Sequence, residues 1–90
     1  MVTTHAAFLL YRELKAQHPR DIVLVFDGHF WVTFGEDRKI VASHENYPKM
    51  IDQSRIGSVV KVLVNFGHRV VMSEPVTRQK RTTITSPDTV

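Results

Sequence analysis

The chain has 90 residues, 42% of them hydrophobic and 23% charged, with a formal net charge of +3 and a sequence pI of about 9.6. That length suits one domain with a single core, burying about 60–65% of the surface exposed on unfolding, and the composition excludes a disordered tail. Without cysteine, disulfide frameworks, thiolate metal sites and cysteine nucleophiles are excluded, which fits a reducing, cytoplasmic setting.

Thr3-Thr4 can cap a first helix that runs to about Gln17, with Phe8, Leu10, Tyr11 and Leu14 on its apolar side. His18-Pro19 ends it, because the residue before proline is pushed out of the helical region. Arg12, Glu13 and Lys15 interrupt the apolar residues of 1–16, so neither a signal peptide nor a membrane span is expected there. No later segment is long enough to cross a bilayer.

Next come two apolar runs, Ile22 to Phe26 and Phe30 to Phe34, joined by Asp27-Gly28. Glycine reaches positive φ without penalty, so the pattern predicts a hairpin. The first run has no polar residue and suits a strand buried on both faces. At the hairpin mouth, Phe30-Trp31 is either the rim of the core or an aromatic platform presented to a ligand.

Gly35-Glu36-Asp37-Arg38-Lys39 reads as a charged break, Ile40 to Ser43 as a helical turn or short strand, and His44 to Pro48 as loop. Residues 38–53 have no assigned conformation. Ile56, Val59, Val60, Leu63 and Val64 then follow the i, i+3, i+4, i+7, i+8 spacing of one helix face within 54–66. Gly67 stands where a left-handed cap is expected. Arg69 to Ser73 reads as a strand, Thr82 to Thr85 as an edge strand in a basic, polar tail over 77–90, and Ser86 to Asp88 as a turn. The fold class is therefore α/β in the broad α+β sense: one domain over 1–90, a small mixed sheet flanked by helices.

No phosphate-binding glycine loop occurs, and His5, His18, His29, His44 and His68 never fall at zinc-like spacing. No cofactor or metal is expected. Glu36 and Asp37 are adjacent and diverge on helix or strand, and no serine, histidine and acid form a local signature, so an enzyme is not expected. Two features point toward nucleic acid. Phe30-Trp31 could stack on a base or wedge between base steps, and Arg78, Lys80 and Arg81 could meet phosphates. Core packing and a solvated charged face are the respective alternatives.

The residues also resemble a family. Leu14-Lys15-Ala16-Gln17-His18-Pro19, the apolar strand, Gly28-His29-Phe30-Trp31 and Phe34-Gly35-Glu36-Asp37 are similar, in order, to the start of the MutS mismatch-repair proteins. Val62 to Glu74 resembles the family's helix–glycine–strand, and Arg78 to Val90 its closing basic strand. The resemblance spans nearly the whole chain and covers only the N-terminal mismatch-recognition domain. It takes in no ATPase, clamp or lever domain, so ATP-driven repair is not expected of these residues. Copies of this domain on bacterial mobile-element proteins are the nearer comparison.

The resemblance implies that Phe30 enters the minor groove and stacks on a mispaired base. Val32 stands where the family has a glutamate that bonds that base, and His29 where it has an aspartate. The middle region is shorter, as if a pair of strands and a loop were missing. The implied DNA-facing set is His29, Phe30, Trp31, Val32, Arg78, Lys80 and Arg81. The rival expectation is a protein-interaction module or homodimer that keeps the fold, with Val32 enlarging an exposed apolar patch beside Phe30 and Trp31. A membrane partner is not expected.

Overall fold

The structure, a computed structural model, describes residues 4–45, 50–76 and 79–86. In chain order the elements are α1 (Thr4–Gln17), β1 (Ile22–Phe26), β2 (Phe30–Val32), α2 (Gly35–Glu45), β3 (Met50–Asp52), α3 (Ile56–Asn65), β4 (Val70–Val76) and β5 (Gln79–Thr85). The strands form one mixed sheet of order β3-β2-β1-β4-β5. β1 runs parallel to β4, and the other three pairings are antiparallel. The fold is of the expected α/β class.

The central strand explains the layering. Ile22 and Leu24 of β1 point to one face, where they meet Trp31, Ile51, Val70 and the apolar sides of α2 and α3. Val23 and Val25 point to the other, where Val71 and the Ala7, Leu10, Tyr11 and Leu14 side of α1 cover them. β1 is thus apolar at every position because both of its faces are roofed. Phe8, expected inside, is 38% exposed at the margin of α1, with its ring edge-on to Phe34 at 5.1 Å.

The hairpin forms where expected, with Phe26 opposite Trp31. Gly28 has φ 105, and the Asp27 carboxylate accepts the backbone N–H groups of His29 and Phe30. A side-chain acceptor at this point mimics a backbone turn and fixes where β2 begins. The second apolar run does not continue as strand to Phe34. The Thr33 hydroxyl donates to the Val23 carbonyl at 2.7 Å, and Phe34 packs among the partly buried residues beneath α1.

Two other expectations are corrected. Gly35 to Lys39 is the first turn of α2, not a break, and His44 and Glu45 are its last residues, not loop. The acidic residues Glu36 and Asp37 sit beside the unpaired N–H groups of that first turn, where negative charge is favoured. The middle region also contains β3, which pairs Ile51 with Trp31. Residues 46–48 of the expected loop and 87–88 of the expected turn lie outside the described residues.

The spacing over 54–66 does give a helix, with Ile56, Val59, Val60, Leu63 and Val64 buried. It closes as anticipated at Gly67, φ 91. His68 N–H reaches the Leu63 carbonyl and Gly67 N–H the Val64 carbonyl, the paired bonds of a Schellman cap. β5 is longer than expected and forms the sheet edge.

Candidate functional site

Phe30 and Trp31 have opposite fates. Phe30 is 37% exposed, whereas Trp31 is 4% exposed. Alternation along a strand sends neighbours to opposite faces. Trp31 therefore enters the α2–α3 side of the core, 5.2 Å from the Phe26 ring, and its indole N–H donates to Gln53 Oε1 at 2.6 Å. The expected exposed aromatic pair is one aromatic, Phe30. Val32 is half-buried against the α1-side cluster, so it does not widen an outward patch with Trp31. His29 is exposed in the turn.

Topology places β5 relative to Phe30. β1 and β4 are parallel, so the β1–β2 turn lies at the end of the sheet where β4 finishes and β5 begins. Lys80 pairs with Pro75 and Arg81 with Glu74 near the start of β5. β2 and β5 are three strand spacings apart, about 14 Å. Arg78 lies outside the described residues, and Lys80 and Arg81 enter through their backbone register alone.

A second polar cluster was not legible in the sequence. Asp37 is 2% exposed, yet its carboxylate is fully engaged. Lys15 Nζ lies 2.8 Å from Oδ1, and both the Tyr11 hydroxyl, at 2.9 Å, and the Val23 N–H, at 3.1 Å, approach Oδ2. Lys15 also donates to the Asp21 carbonyl. α1, β1 and α2 are thereby tied at one point, and the Val23 backbone is satisfied by side chains where β2 has left the ladder. The arrangement is a brace: every charge in it is paired and the carboxylate is closed to solvent.

Burial, reinforced by the neighbouring Asp37 carboxylate, raises the Tyr11 phenol well above its ordinary 10.0. The unfolded chain then gives up this proton first. The contribution from the neutral phenol is complete below pH 10 and is lost as pH rises from there toward the folded value. We expect urea midpoints of the native chain to drop more steeply above pH 10 than those of Tyr11→Phe. Parallel curves for the two proteins would show that Tyr11 is not the group responsible.

The histidines, unpaired in sequence, meet in space. His44 Nε2 lies 3.1 Å from His68 Nε2, and the His44 ring stacks on Phe66 with centroids 4.3 Å apart. Burial and then the nearby His44 lower the His68 pKa from 6.5, favouring its neutral form at pH 7.

No protein-family model matches the chain, and no curated protein matches it significantly. Among the described residues no helix is long and apolar enough to cross a membrane.

Proposed function

We propose that this chain is a weak, largely sequence-independent DNA-binding module of the MutS mismatch-recognition type, working in the cytoplasm. Phe30 is its aromatic wedge, His29 lies at the DNA-facing turn, and Arg78, Lys80 and Arg81 act on phosphates. The observation that carries this reading is the Phe30 ring, left outside the core at a turn fixed by Asp27. It stands at the sheet end where β4 finishes and β5 begins. The mixed sheet with helices on both faces agrees with the reduced sheet that the family resemblance implies. Trp31 and Val32 have no contact role in this proposal.

About three phosphate contacts should make log Kobs fall with log salt at a slope of about −3. Phe30→Ala should weaken binding to a mispaired duplex by about 5- to 150-fold, the scale of one base–aromatic stack, with less effect on a matched duplex. Fluorescence anisotropy on labelled duplexes across a salt series measures both. Binding of neither duplex at low salt would refute the proposal, and equal losses for Phe30→Leu and Phe30→Ala would refute stacking.

One observation favours a protein partner or homodimer instead. Phe30 and Met50, both exposed, share one face of the β2–β3 pair as diagonal neighbours, close enough for long side chains to touch. Concentration-dependent self-association that protects Phe30, without DNA binding, would select this reading.

A further inference from the structure

His44 lies in the last turn of α2, and His68 follows α3 across the Gly67 cap. The cap turns the chain back so that the two imidazoles converge from separate elements. The His44 ring stacks on Phe66, which is itself 63% exposed, and the His68 backbone is fixed by the bond from its N–H to the Leu63 carbonyl. Both side chains are partly open to solvent, so a small ion has an approach.

We propose that His44 and His68 form a two-imidazole site for a borderline transition-metal cation, Cu²⁺, Ni²⁺ or Zn²⁺, clamping the C-terminal ends of α2 and α3. The spacing fits. With metal–nitrogen bonds of about 2.0–2.1 Å, nitrogens 3.1 Å apart subtend about 95–100° at a shared metal. That lies between the square-planar and tetrahedral angles, so modest ring rotation seats either geometry. Nitrogen donors select these ions over Mg²⁺ and Ca²⁺, and the order should be Cu²⁺ above Ni²⁺ and Zn²⁺. Among the described residues no third ligating side chain joins the pair. Water fills the remaining positions, and binding is reversible by chelators.

A ligand that binds only the folded state raises the melting temperature. Untagged chain at pH 7.5 with 0.1–1 mM (on the order of) NiCl₂ or ZnCl₂ should melt about 5–10 °C higher, with no change in MgCl₂ and reversal by EDTA. His44→Gln and His68→Gln should each abolish the rise while melting near the native temperature without metal. Isothermal titration should give one ion per chain. The proposal is overturned if the native chain shows no rise, or if either variant keeps it. The first result would leave only a hydrogen bond between the rings, and the second would place the ion on other histidines.

Discussion

Replacing Asp37 by alanine should cost about 3–5 kcal/mol of folding stability, read as a shift of the urea midpoint at constant m-value. The size follows from what is stranded. Asp37 is the common acceptor for the Lys15 ammonium, the Tyr11 hydroxyl and the Val23 N–H. Removing one partner of a buried ion pair leaves an uncompensated group and usually costs that much. Lys15 is partly exposed and can turn to water, which pulls the value toward the lower end. The Val23 N–H cannot, because it belongs to a fully buried strand residue, and an orphaned donor costs about 1–3 kcal/mol alone. Lys15→Met leaves the buried Asp37 carboxylate without its counter-charge, so it should also destabilise, by less than Asp37→Ala because the Tyr11 hydroxyl and the Val23 amide still bond the carboxylate. If Asp37→Ala and Lys15→Met proved equally mild, the brace would contribute little and α2 would be held by Val41 and its apolar neighbours alone.

This brace also marks where sequence reading stops. The apolar face of α3 was legible because five residues recur at helical spacing and Gly67 can cap them. The hairpin was legible because Asp27-Gly28 is a local signal with a local cause. α2 was not. Its first turn is charged, and what makes that charge favourable is Tyr11, Lys15 and Val23, residues 14 to 26 positions away. β3 has three residues and a single buried side chain, Ile51, too little pattern to register. The His44–His68 contact joins residues 24 apart through two helix ends, and no spacing rule reaches that far. The Phe30–Trp31 division is different, because a signal existed. Strand parity alone sends one of the two to each side, and Val32 packing under α1 with Val25 opposite sets which.

Trp31→Ala should therefore cost about 3–5 kcal/mol, the range for deleting a buried tryptophan, whereas Phe30→Ala, which removes a ring that is 37% exposed, should cost about 1–2 kcal/mol. Trp31 joins three layers of contact: the Phe26 ring, the cross-strand Ile51, and the α2–α3 cluster. Its loss also leaves Gln53 without the indole donor. For a domain of this size such a loss lowers the melting temperature by about 12–40 °C, enough to leave much of the chain unfolded near 37 °C. Trp31→Phe retains most of the packing and should lose substantially less, separating volume from the Gln53 bond. Phe30, like Phe8 and Phe66, is left partly exposed, so a Phe30 variant that stays folded yet loses a ligand that Phe8→Ala and Phe66→Ala both keep reports function directly. A Phe30→Ala protein destabilised as much as Trp31→Ala would mean that the ring is core after all, and the DNA proposal would lose its only wedge.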